Sequence, residues 1–158
     1  DIKSISFSAN QAQNGDFSNA FSYWILIGDT INPFHPEDTG SAKFSVEGGM
    51  AAIDISNQGT GIWSIMLYQK VSFVKDAAYR ISFDAKADHD VEIISNVCRD
   101  GGDWAVFSGD HKFRLTSAIQ NYSYEFKMSA GGISLFQFCL GYVGTGKLYF
   151  DNVVITKL

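Results

Sequence analysis

Tyr79–Ala87 reads YRISFDAKA, and this stretch decides the fold class. Tyr79, Ile81, Phe83 and Ala85 alternate with Arg80, Ser82, Asp84 and Lys86. A period of two puts the apolar set on one face and the polar set on the other, as in a half-buried strand. The alternation continues on both sides. Upstream, it runs through Lys43–Glu47 (KFSVE), Ala52–Ser56 (AIDIS) and Trp63–Lys70 (WSIMLYQK). Downstream, it runs through Val91–Cys98, Lys112–Leu115, Tyr122–Met128, Leu135–Tyr142 and Lys147–Thr156. Turn signals fall between these segments: Asn14-Gly15, Gly48-Gly49, Asn57–Gly61, Asp100–Asp103, Gly131-Gly132 and Gly144–Gly146. Both prolines lie in NPFHPEDTG, residues 32–40, which reads as one irregular loop. No segment predicts a helix longer than a turn. About ten short strands at this spacing predict an all-β chain, a sandwich of two antiparallel sheets with the jelly roll a common solution.

The composition agrees. The chain has 158 residues, 46% hydrophobic and 18% charged, which predicts a single domain spanning residues 1–158. Net charge is −5, and an acidic surface argues against nucleic acid, whose phosphates need Lys or Arg. No apolar run reaches the roughly 18 residues that a membrane helix needs. The opening DIKSISFSAN lacks the basic start and apolar centre of a signal peptide, so an export signal is expected to be already removed or never present.

Few residues suggest chemistry. Cys98 and Cys139, with His35, His89 and His111, show no zinc spacing. The serines lack a G-x-S-x-G elbow. No pair of carboxylates stands out as a glycosidase acid and nucleophile. The three tryptophans are more informative. Trp24, Trp63 and Trp104 all sit at strand–loop junctions beside Gly-rich or polar turns. An indole face covers the apolar C–H face of a pyranose, and at about 25 cal/mol per Å² one face contributes about 1–2 kcal/mol. Two or three such faces with a few hydrogen bonds reach about micromolar to millimolar affinity.

At these residues the chain resembles a family. NGDFSNAFSYW resembles the N-G-D-F…G-W start of the family 4 and related (4/9/16/22) carbohydrate-binding modules. GIWSIMLYQKVSFVKDAAYRISFDAKAD resembles their central W-x-V-x-L-x-Q…Y-x-x-S-F-x-A-K-A block, and LFQFCLGYVGTGKLYFDNVVITKL their closing strand. The resemblance runs from Asn14 to Leu158. Tyr23 replaces the usual Gly before the first Trp, and VKDAAY lacks the common Gly before the Tyr of YRISFDAKA. The resemblance implies a jelly roll with one concave sheet, sugar-stacking aromatics at Trp24, Trp63 and Trp104, and a hydrogen-bonding amide at Gln137. It also implies a structural calcium held by Asp16 and Asp151, with Asn14 nearby.

Strand parity adds to this. If Phe136, Phe138 and Leu140 face the core, Gln137 and Cys139 face away. By the same logic Glu92, Asn96 and Cys98 oppose Val91, Ile93 and Val97, and Met66, Tyr68 and Lys70 oppose Ile65 and Leu67. A concave face with Tyr68, Glu92, Asn96 and Gln137 would offer donors and acceptors to hydroxyls. Cys98 and Cys139 share that face, so a disulfide is possible if their strands are neighbours. The expected function is a secreted, monomeric, non-catalytic module that binds β-glucan, β-1,3-glucan ahead of β-1,4 or mixed linkage. It would target a glycoside hydrolase, the catalytic domain of the same polypeptide, to polysaccharide. The alternatives are a small jelly-roll polysaccharide lyase or glycosidase, and an adhesion sandwich without a sugar site.

Overall fold

A computed structural model describes residues 9–158. The signal-peptide reading of the opening residues therefore falls mostly outside the described part. Among the described residues, ten strands form two five-stranded sheets. They are β1 (Ile25–Ile27), β2 (Ser41–Glu47), β3 (Met50–Asn57), β4 (Met66–Phe73), β5 (Ala78–Ala87), β6 (Val91–Arg99), β7 (His111–Leu115), β8 (Gln120–Lys127), β9 (Gly132–Cys139) and β10 (Gly146–Lys157). The first sheet has the order β1-β4-β9-β6-β7 and the second β2-β3-β10-β5-β8. Every pair is antiparallel. One 3-10 turn, Ile62–Ser64, interrupts this all-β jelly-roll sandwich. Among the described residues, no helix is long and apolar enough to cross a membrane.

The alternation of YRISFDAKA is realised as expected. Tyr79, Ile81, Phe83, Ala85 and Ala87 are buried between the sheets. Phe83 meets Phe138 edge-on at 4.9 Å, and Phe138 stacks on Phe150 at 4.3 Å. These rings come from β5, β9 and β10, so they join the two sheets. Aromatic pairs of this geometry contribute about 0.5–1.5 kcal/mol beyond their buried area.

The last strand departs from simple alternation. Leu148 and Phe150 are buried, and so are Val153 and Ile155, which have the opposite parity. The β10–β5 register shifts between Asp151 and Val154, and Asn152 has a φ of +48°. This is a β-bulge, with the extra residue in the left-handed conformation that Asn tolerates better than most. The bulge backbone meets the N-terminal loop. Val153 N donates to Gly15 O at 2.9 Å, and a Cβ on Gly15 would collide with Val153 O. Only glycine allows that approach.

The cysteines remain apart. β6 and β9 are neighbours, but Cys98 pairs with Leu135 while Cys139 pairs with Ile94. Four residues of offset is about 13 Å along a strand, beyond the roughly 7 Å that a disulfide spans. The possible disulfide is therefore corrected: both thiols are free and buried. Burial, with the nearby carboxylate of Asp100, pushes Cys98 up to about 11, and burial pushes Cys139 up to about 12. Both stay neutral and slow to react near pH 8. Iodoacetamide should leave the native protein unmodified and add to both thiols after unfolding without reductant. Adducts that appear only after reduction would restore the disulfide.

Candidate functional site

The outer face of the first sheet is the floor of a groove of about 720 Å³. Its layout follows from strand register. One row across the sheet is Ile27, Met66, Cys139 and Ile94. The next is Ile25, Tyr68, Gln137 and Asn96. The third is Lys70, Leu135, Cys98 and Val106. Successive rows lie two residues apart, about 7 Å. A polar row, carried by Tyr68, Gln137 and Asn96, thus runs between two mainly apolar ones.

The polar row is ordered from one end. Asp110, exposed on the groove wall, accepts from Asn96 Nδ2 at 2.8 Å. Asn96 Oδ1 is then left to accept from Gln137 Nε2 at 2.8 Å. Gln137 Nε2 also donates to Cys98 Sγ at 3.0 Å. A carboxylate only accepts, so Asp110 fixes which way both amides point. The outcome leaves Gln137 Oε1 available to accept from a ligand hydroxyl. Tyr68 is buried at its ring, and burial, with Asp100 and Cys98 nearby, raises its phenol, which stays protonated and can donate.

Two tryptophans form the walls. β4 and β6 both run antiparallel to β9, so the start of β4 and the end of β6 lie at opposite ends of the strands. Trp63 is in the 3-10 turn just before β4, and Trp104 is in the loop just after β6. They stand on opposite sides and are 45% and 43% exposed, unlike the fully buried core rings. Gly61 makes the first wall possible, because a Cβ there would meet the Trp63 ring at 2.5 Å. Trp104 has a φ of +52°, an outlier for a bulky residue, closed by a bond from its N–H to Gly101 O at 3.0 Å. Such strain persists only where the surroundings hold it, and it clusters at functional sites.

The 32–40 loop joins the walls. Phe34 meets Trp104 edge-on at 5.5 Å, and His35 packs on Trp63 at 5.3 Å. Asn32 Oδ1 accepts from Phe34 N and His35 N, which sets the loop's conformation. Ser64 Oγ donates to Asp38 and ties the loop to the Trp63 turn. Burial raises Asp38, but hydrogen bonds from Ser64, Gly40 and Thr60 outweigh it and hold the carboxyl below its usual range. Asn32 is 5% exposed and lines the groove, and its Nδ2 has no partner. Sequence reading missed Asn32, Phe34, His35 and Asp110. The prolines marked the loop but not its contacts.

The structure therefore brings together Trp63, Trp104, Tyr68, Asn96 and Gln137. Two expected site residues are corrected. Trp24 is 7% exposed and lies in the core, stacked on Phe17 at 5.2 Å and edge-on to Phe136 at 6.2 Å. Glu92 has the expected face but sits beyond the groove, opposite Arg114 on β7.

The expected metal ligands divide: Asp16 and Asp151 lie near enough for the charge of one to raise the other, while Asn14 is engaged elsewhere. The Asn14 side chain is committed to its own loop, donating to Asn19 O, Ala20 O and Ser22 O and accepting from Asn19 N. Asp16 accepts from Ser18 N. Burial raises the Asp151 carboxyl, and the charges of Asp84 and Asp16 raise it further. Among the described residues, no three His, Cys, Asp or Glu side chains converge as a metal cluster. The two carboxylates supply hard oxygens that suit calcium, with backbone carbonyls needed to complete its shell.

A sandwich with an aromatic-walled groove across one sheet, floored by a row of amides, is built as a ligand-binding domain. Residues 9–141 match the family model described as carbohydrate binding domain (CBM_4_9), and the chain belongs to that family. A solved CBM4 domain superposes with a TM-score of 0.82 at 23% identity, covering 92% of this chain and 99% of that one. The second N-terminal cellulose-binding domain of Cellulomonas fimi β-1,4-glucanase C gives 0.74 at 18% identity, covering 98% of each. TmCBM61, solved with β-1,4-galactotriose, gives 0.64 at 16%, covering 96% of this chain and all of that one. Comparison with curated proteins gave no match.

Proposed function

We infer that this chain is a non-catalytic module that binds β-glucan, β-1,3-glucan ahead of β-1,4 or mixed linkage. It acts outside the cell as a monomer and holds an attached glycoside hydrolase on polysaccharide. The observation that carries this reading is the pair of half-exposed indoles, Trp63 and Trp104, lining the groove from opposite ends of the strands that carry the Tyr68–Gln137–Asn96 row. Opposed walls suit one chain held between them. A crystalline surface would ask for coplanar rings, and a chain that curves suits an enclosed groove. The neighbours that bind cellulose and β-1,4-galactotriose support a glycan ligand. Asp110 is the one carboxylate among the described residues lining the groove, whereas glycoside hydrolysis ordinarily uses two, about 5–9.5 Å apart. Tethering raises the local substrate concentration of a linked enzyme.

Affinity electrophoresis on laminarin, barley β-glucan, hydroxyethylcellulose, xylan and mannan tests this. The strongest retardation is expected on laminarin. No retardation on any gel would overturn glycan binding, and cleavage of labelled oligosaccharides would overturn the non-catalytic reading.

A calcium ion on Asp16 and Asp151 belongs to the same reading. It would clip the N-terminal loop to β10 and stabilise the folded state by linkage. EDTA is expected to lower the melting temperature, and added Ca²⁺ to restore it. An unchanged melting temperature after exhaustive chelation at acid pH, with no calcium detected by elemental analysis, counts against the ion.

A further inference from the structure

We propose that the groove prefers glycan chains whose hydroxyls are partly capped by O-acetyl groups. The inference rests on the carbohydrate-binding reading and adds a substrate class to it. It comes from the two rows that flank the polar one. Met66 and Cys139 lie on one side, and Leu135 and Cys98 on the other. All four are nearly buried, at 8%, 3%, 3% and 2% exposure, and they form one apolar cluster around the polar row. Both thiols are neutral, so each behaves as a small apolar group rather than an anion.

A sugar ring stacked on either wall turns its edge to this floor. The ring edge carries the hydroxyls. Those over Tyr68, Gln137 and Asn96 find partners. Those pressed on methionine, leucine or thiol lose water and gain nothing. A β-linked chain spreads its substituents to both sides, so a bare chain on the polar row puts hydroxyls over both apolar rows. Acetylation changes this balance. The ester has no hydroxyl hydrogen to leave unpaired, and its methyl group suits the apolar rows.

Asn32 supplies an independent sign. It lines the same groove, and its buried Nδ2 has no partner, while its Oδ1 is already engaged by Phe34 and His35. The vacant function is thus a donor only. An ester carbonyl is an acceptor only, and so it can meet that donor without bringing a hydrogen of its own once ligand entry uncovers the amide.

The test uses two polymer pairs, partially acetylated laminarin and acetylated xylan, each against the same batch after mild alkaline deacetylation. Isothermal titration should show at least fivefold tighter binding to the acetylated member of whichever pair binds. Equal or tighter binding to the deacetylated member overturns the acetyl preference and leaves glycan binding standing. No binding to any of the four overturns the glycan reading itself. Asn32→Asp keeps the acceptor that shapes the loop and removes the donor. It should erase the acetyl preference, so that the acetylated and deacetylated members then bind alike. A preference that survives in this variant removes Asn32 from the account.

Discussion

Trp104→Ala should abolish detectable glycan retardation while the protein stays folded. The indole is 43% exposed and its one ring partner among the described residues is Phe34, edge-on at 5.5 Å, so little core is lost with it. Binding loses more. One ring face contributes about 1–2 kcal/mol through buried apolar area, or about 5–30-fold in affinity. For a ligand held at about 0.1 to 1 millimolar, that loss leaves the range of a gel assay. The truncation also frees Phe34, so the loop that spans the walls loses one of its two aromatic contacts. The positive φ at position 104 is as unfavourable for alanine as for tryptophan, so the backbone gives the variant no compensating gain. The melting temperature should change by less than about 2 °C, since surface substitutions cost little stability. Trp63→Ala should behave alike, with His35 as the freed neighbour. Full binding by folded Trp104→Ala would place the ligand elsewhere on the molecule.

How far the site was legible depends on the distance over which its signal acts. Parity is local. Because Phe136 and Phe138 point inward, Gln137 and Cys139 must point outward, and the strand carries them to the groove floor unaided. The register between strands is not local. It decides that Gln137 stands beside Asn96 and that Cys98 stands four residues from Cys139, and it is set by turns and packing far from either. The β10 bulge was hidden for a related reason. Asp151 and Asn152 read as ordinary strand residues until the register against β5 exposes the extra one. The 32–40 loop has no period at all. Its prolines mark it as irregular, yet its role comes from Phe34, His35 and Asp38 meeting Trp104, Trp63 and Ser64, 26 to 70 positions away.

Trp24 shows how a shared local setting misleads. All three tryptophans sit where a loop meets a strand, and only tertiary packing separates them. The Asn14–Tyr23 loop folds back under the sandwich edge, turning Tyr23 outward at 67% exposure and Trp24 inward at 7%. Gly15 permits this by letting the loop rest on the β10 bulge. Phe17 stacks on the indole, Phe136 meets it edge-on, and its N–H donates to Asn14 O at 3.0 Å. Trp24→Ala should therefore cost about 3–5 kcal/mol, the usual range for emptying a buried aromatic site. That is a large share of the roughly 5–15 kcal/mol that holds a domain together. At about 2–4 °C per kcal/mol for a chain of this size, the melting temperature should fall by about 6–20 °C. Trp24→Phe keeps much of the volume and should lose about half as much. The decisive comparison is with binding. Measured on the folded fraction at low temperature, the glycan affinity of Trp24→Ala should stay within about twofold of the parent, because the indole lies on the far side of β9 from the groove. Lost affinity at an unchanged melting temperature would return Trp24 to the ligand. Lost stability at unchanged affinity assigns it to the core, and makes it the scaffold beneath the walls that Trp63 and Trp104 form.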